Sequence, residues 1–228
     1  GRPSCRTPNH RESSSCRSLI SLPAEINFLV EGRVDAAIAR RLISHVGAIP
    51  GLEKIAGGKS KLDPLLSRYH QSAARLPWLI MRDLDHDAEC GPSLKQRLLP
   101  TPAELLCFRI VVREAEAWLM YDVEALASFL KISDRLIPRN PENLDDAKLT
   151  LVNLARRSKS SSIRTAMTPR SSSGATEGPE FSASLAAFVD ELWRPDVAVG
   201  VDNHSSLART VRCLAVLSAR VDLLQHQP

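Results

Sequence analysis

Ile26-Asn27-Phe28-Leu29-Val30 breaks off at Glu31-Gly32. A run this short and this apolar reads as a strand covered on both faces, ended by the Glu-Gly pair. Directly beyond it, Val34, Ala37, Ile38, Arg41 and Leu42 recur at the three- and four-residue spacing of a helix face. Strand, tight turn and helix follow one another in that order.

The same grammar returns twice. Trp78-Leu79-Ile80-Met81 runs into Arg82-Asp83-Leu84-Asp85-His86-Asp87, and Cys107-Phe108-Arg109-Ile110-Val111-Val112 runs into Glu114, Glu116 and Trp118 at the head of an apolar helix. Between the first two strands, Pro50 to Asp63, with Gly51, Gly57 and Gly58, reads as a loop, and Pro64 to Ala74 as a helix. Gly91 and Pro92 open a further helix through Leu94 and Leu98. Apolar strands separated by helices rather than hairpin turns predict an α/β domain on a mostly parallel sheet flanked by helices, over residues 25–130. Residues 131–228 read as a helical extension packed on that sheet, with helices over Ala147 to Arg157, Phe181 to Leu192 and Ser205 to Leu224. Loops are expected around Pro138 to Pro141 and Pro169 to Pro179. Residues 1–24, rich in Ser, Arg and Pro and without the apolar run of a secretory signal, read as a disordered leader or the product of upstream translation.

Composition narrows the function classes. Hydrophobic residues fill 43% and charged residues 25% of 228 positions, the balance of a globular chain long enough to bury a core. Aromatic residues are only 4%, so Trp118, Leu119 and Leu126 read as core rather than as a base-stacking surface. A net charge of +4 permits a polyanionic partner without requiring one. No apolar run approaches the ~18 residues of a membrane-spanning helix, and the chain is expected to be cytoplasmic. Cys5, Cys16, Cys90, Cys107 and Cys213 are scattered, with no C-x-x-C pair, which argues against a disulfide scaffold and a Cys-rich zinc site.

All three strands end in acid: Glu31 after the first, Asp83, Asp85 and Asp87 after the second, Glu114 and Glu116 after the third. In an open α/β sheet these positions line one crevice at the carboxyl ends of the strands. Any one acid could simply cap the following helix, as Asp and Glu favour helix N-termini. Acids at every strand end would repel one another without a cation, and a hard divalent ion such as Mg²⁺ or Mn²⁺ resolves that. In an extended segment Asp83 and Asp85 point the same way, toward one ion. On a helix Glu114 and Glu116 diverge by about 200°, so one of the two is expected to face the crevice. Asp35 reads as a cap or partner on the first helix.

Other signals are weaker. Lys148 to Arg170 carries six basic residues, Arg156, Arg157 and Lys159 among them, and no acid; it reads either as a solvated face or as a phosphate-contacting surface. Gly57-Gly58-Lys59-Ser60 is not a P-loop, since Glu53 stands where the first Gly is required, although Lys59 could still meet a phosphate, as could Arg82. His86 and Cys90 lie four apart with no second pair to complete a zinc site.

Phe28-Leu29-Val30-Glu31-Gly32-x-x-Asp35, followed by Leu79-Ile80-Met81-Arg82-Asp83-Leu84-Asp85, resembles the two motifs of Toprim domains, a Glu after the first strand and Asp-x-Asp after a later one. Such domains occur in topoisomerases, bacterial primases, small ribonucleases and the nucleases of the overcoming-lysogenization-defect family. With Gly57-Gly58-Lys59, Glu114-Ala115-Glu116-Ala117-Trp118-Leu119, Pro169-Arg170, Gly178-Pro179 and Trp193-Arg194-Pro195, the pattern is similar to an uncharacterised bacterial Toprim-like family over most of the chain after Ile26. The resemblance implies a Mg²⁺- or Mn²⁺-dependent nuclease acting on DNA or RNA. Glu31 would move the proton and touch metal, Asp83 and Asp85 would be the principal ligands, and Glu114 or Glu116 would be a further one. It also implies a partner ATPase and a role in phage defence. A non-catalytic module binding nucleic acid or an ATPase is the competing expectation, and phosphotransfer on free nucleotides a third.

Overall fold

A computed structural model describes residues 23–170 and 174–225, so the expected leader falls almost wholly outside the described residues. Strands β1 (Glu25–Val30), β2 (Ile49–Ile55), β3 (Trp78–Asp83) and β4 (Leu106–Val111) form one sheet in the order β2-β1-β3-β4, every pair parallel. The helices are α1 (Arg33–His45), α2 (Lys59–Leu62), α3 (Leu66–Ser72), α4 (Gly91–Leu98), α5 (Glu116–Leu119), α6 (Val123–Leu130), α7 (Ala147–Arg156), α8 (Ser161–Met167), α9 (Phe181–Glu191), α10 (Pro195–Val201) and α11 (Ser206–Gln225). The chain is therefore an α/β protein with a parallel sheet flanked by helices and a C-terminal helix laid against it.

The central strands β1 and β3 are buried on both faces, as their unbroken apolar runs require. On one face Phe28, Val30, Leu79, Met81 and Val111 join α1, Trp118 and the C-terminal helices in a single core. On the other, Leu29, Ile80, Phe108 and Ile110 meet Leu62, Leu66 and Leu94. Helix α9 lies along α1 and α11 along β4, with Phe181, Leu185 and Phe188 sealed from solvent. Each such side chain contributes about 1.5–3 kcal/mol of transfer free energy. An ion pair fastens the turn after α9: Asp122, 0% exposed, caps α6 and accepts from Nη2 of the more exposed Arg194 at 2.7 Å.

Strand β2 corrects the loop expected from Pro50 to Asp63. It is an edge strand, exposed along most of its length, so it needs no apolar run and tolerates Pro50, whose missing N–H costs nothing on an open edge. Gly51 is there for close approach: a Cβ would lie 2.8 Å from both Asn27 Oδ1 and Glu25 Oε1. Buried Asn27 uses that space, accepting from Leu52 N at 2.8 Å and donating to the Pro77 carbonyl at 3.3 Å. Helix α2 occupies the end of the same stretch.

Cys107 of β4 and Cys213 of α11 form a disulfide across 106 residues. Nothing in their spacing announces it, because only the packing of α11 on β4 brings them together. Among the described residues no helix is long and apolar enough to cross a membrane.

Candidate metal centre

The carboxyl ends of β1, β3 and β4 open on a cavity of about 380 Å³ walled by Glu31, Asp35, Asp83, Asp85, Glu114 and Glu116, with Lys148 at its side. Within it Asp35, Asp83 and Glu116 each offer one oxygen to a common set whose members lie within 4.8 Å of one another, so the three could hold a metal ion.

Local backbone geometry delivers each of them. Gly32 lies between β1 and α1 at the N-cap of the helix, and the Asp35 carboxylate accepts the Gly32 N–H at 2.8 Å; this is the capping role foreseen for Asp35. The cap also fixes its carboxyl group, 8% exposed, at the mouth of the sheet. Asp83 is the last residue of β3, and its Oδ1 accepts from Ala115 N at 3.1 Å, pinning the turn after β4. That turn starts α5 with Glu116 in its first position, 6% exposed. Glu114 precedes the helix and turns aside, where its Oε2 accepts the Lys148 N–H at 2.8 Å and caps α7. Of the pair, Glu116 therefore joins the close set.

Asp85 departs from the expected pairing with Asp83. Strand β3 ends at Asp83, and Asp85 stands at φ 46, so the two-residue alternation of extended chain no longer applies. Its carboxylate lines the cavity but is held by Lys59 Nζ at 2.8 Å, and Asp35 takes the third place instead. Lys59 also binds Asp87 at 2.9 Å. Arg82 is 3% exposed and bound by Asp63 and Asp87, with Nη1 donating to the Asp83 carbonyl; it organises the acids from beneath. The exposed Arg156 and Arg157 and the Lys159 side chain lie away from the crevice, and Lys159 borders a separate groove beside Lys131.

Burial dominates the electrostatics. It pushes Glu31 up to about 7, against the pull of the Asp83 N–H, bonded at 3.0 Å, and of Arg82. Glu116 rises to about 8, first from burial and then from Asp35, with Lys148 opposing. Asp83 stands well above the usual carboxylate range through burial and the neighbouring Asp35 and Glu116 charges, and Asp35 is raised mainly by burial. Lys148 is drawn down by burial, but Glu116, Glu177 and Glu114 outweigh this and keep it firmly protonated. The centre thus holds acids that retain protons near neutrality, the state a divalent cation displaces.

Asp35 and Lys148 are the functional candidates that strand-end reasoning undervalued. Asp35 had a signal, its place one turn after an acid-ended strand; Lys148 was marked only as the start of a basic stretch, and its place beside the acids depends on α7 folding back over the sheet.

Compared with known proteins, the chain matches no family model, no curated protein and no solved structure. What fold and site define is a class: an α/β protein with a buried acidic centre able to take a metal ion.

Proposed function

We propose that the protein is a Mg²⁺- or Mn²⁺-dependent, Toprim-like phosphodiesterase that cleaves DNA or RNA. The observation that carries the reading is the buried set Asp35, Asp83 and Glu116 at the carboxyl end of a parallel sheet, next to a Glu31 that titrates near 7. The motif order Glu31-Gly32-x-x-Asp35 and Asp83-Leu84-Asp85 supports it by resemblance.

A divalent ion held by Asp35, Asp83 and Glu116 would neutralise nonbridging oxygens of a phosphodiester. Glu31, poised between its protonated and ionised forms at neutral pH, suits general acid–base work on the attacking or leaving oxygen. Lys148, charged and facing the cavity, and Lys59 at its rim offer cationic contacts to the phosphate. Nucleic acid is the partner this implies; a cytoplasmic setting is carried over from the composition, and a partner ATPase and a role in phage defence follow from the resemblance alone.

One observation favours a non-catalytic binding module instead. Lys148 Nζ lies 4.0 Å from Glu116 Oε1, and Lys59 already occupies Asp85, so part of the acidic charge is met from within. Calorimetric titration of Mg²⁺ and Mn²⁺ into wild type and Asp83→Asn/Glu116→Gln, followed by cleavage assays on DNA and RNA, decides between them. Saturable binding lost in the variant, with metal-dependent cleavage lost alongside, supports the nuclease; metal-independent nucleic-acid binding without cleavage supports the module.

A further inference from the structure

A second cavity, of about 430 Å³, lies at the free edge of β4, between α4 and α11. Its size is that of a small-molecule site. Three cations enter it from three elements: Lys95 of α4, Arg109 of β4 and Arg209 from the first turn of α11. Arg212, one turn further along α11, adds its field to Arg109. Glu89 is the single acid in the lining, and no ion pair forms between it and these cations.

The arrangement is costly as it stands. Arg109 Nε is sealed from solvent and has no hydrogen-bond partner. Burial, and then the like charges of Arg209 and Arg212, push the Arg109 guanidinium below its ordinary value. Burial and Arg109 do the same to Lys95. A guanidinium escapes such crowding poorly by losing its proton, so an anion seated between the three cations would relieve it. Helix α4 starts at the same cavity with Gly91 and Pro92, presenting the positive end of its dipole. The start of α11 is already capped, since Ser206 N donates to Glu142 at 2.8 Å. The set therefore comprises one guanidinium from the strand, two further cations and one open helix end.

We propose that this cavity is an anion site that takes a phosphoryl group. It shares a wall with the acidic crevice, because Leu84 lines the cavity while its neighbours Asp83 and Asp85 line the crevice. A phosphate seated there lies one strand-end away from the carboxylates. The proposal does not depend on the metal-centre reading and is tested without metal.

The experiment uses the full chain in chelator, comparing thermal unfolding and calorimetry in inorganic phosphate and in sodium chloride of equal ionic strength. Wild type is expected to gain unfolding temperature saturably with phosphate. Arg109→Met is expected to start higher than wild type without phosphate, having lost a half-buried charge whose Nε has no partner, and to bind phosphate about tenfold more weakly or worse. Lys95→Gln/Arg209→Gln, both at exposed positions, gives the same weakening should Arg109→Met fail to fold. A wild-type response no greater than that to chloride, or foldable variants that respond like wild type, overturns the proposal. Short single strands with a 5′-phosphate or a 5′-hydroxyl then distinguish the source. Competition with inorganic phosphate only by the phosphorylated strand marks a terminal monoester, and equal competition by both marks a backbone diester; competition by neither overturns a nucleic-acid source.

Discussion

The acidic crevice and the basic cavity flank the same strand ends and concentrate charge of opposite sign, yet they manage it differently. The carboxyl groups of the crevice hold protons: Glu31 titrates near 7 and Glu116 near 8, and Lys148 and Lys59 lend positive charge from the side. In the cavity the crowding falls on Lys95 and, above all, on a guanidinium, which gives up its proton poorly. Burying like charge is tolerable when the groups can titrate, and calls for an external counter-ion when they cannot.

The sharpest way to break this contrast is to remove charge from the crevice. Asp83→Asn/Glu116→Gln should abolish saturable Mg²⁺ and Mn²⁺ binding by calorimetry, while leaving the phosphate response of the basic cavity intact. Loss of both responses together would mean that the two regions are a single site. Next in size, Glu31→Gln should lower metal-dependent cleavage by about 10²–10⁴-fold, with nucleic-acid binding retained in a gel-shift titration. Cleavage unchanged by this substitution would remove Glu31 from the chemistry.

A smaller effect concerns pH. The folded-state values of Glu31 and Glu116, about 7 and about 8, lie above the ordinary 4.5. Their contribution to stability is therefore complete below about pH 4.5 and is lost as pH rises through 7 and 8. In chelator the unfolding temperature should fall across that window, by an amount on the order of a few kcal/mol in stability. Mn²⁺ should restore more of it at pH 8 than at pH 5, because binding displaces protons. Calorimetry in two buffers of different ionisation enthalpy reads that proton release directly. An unfolding temperature that climbs steadily from pH 5 to 8 in chelator would contradict the burial of these acids.

Much of this architecture is legible in the sequence. Strands β1, β3 and β4 announce themselves because strands covered on both faces must be apolar throughout, and Glu31, Asp83 and Glu116 follow from the rule that strand ends line the crevice. Strand β2 escaped because an exposed edge imposes no apolar pattern, and the glycine that looked like a loop signal is a close-packing requirement against Asn27. Asp85 lines the crevice as expected, but its left-handed backbone turns it out of the close set with Asp83, which two-residue alternation does not anticipate. The basic cavity is invisible in the sequence: Lys95, Arg109 and Arg209 sit in separate segments, and only the packing of α4 and α11 around β4 assembles them.

The smallest expected effect probes where the two charge regimes meet. Lys59 holds Asp85 and Asp87 with its side chain 41% exposed, so solvent screens the pair and Lys59→Gln should cost no more than about 1 kcal/mol of stability. Its consequence for metal should be larger than that for folding. With Lys59 gone, the Asp85 carboxylate keeps only the longer contact with Arg82, at 3.8 Å, and becomes available beside Asp35, Asp83 and Glu116 as a fourth anionic oxygen donor to a hard cation. Calorimetry should then report Mg²⁺ binding tightened by severalfold, on the order of 1 kcal/mol, at an almost unchanged unfolding temperature. Affinity that stays the same or falls would mean that Lys59 and Asp85 act as a fixed structural pair and that the centre is complete with three carboxylates.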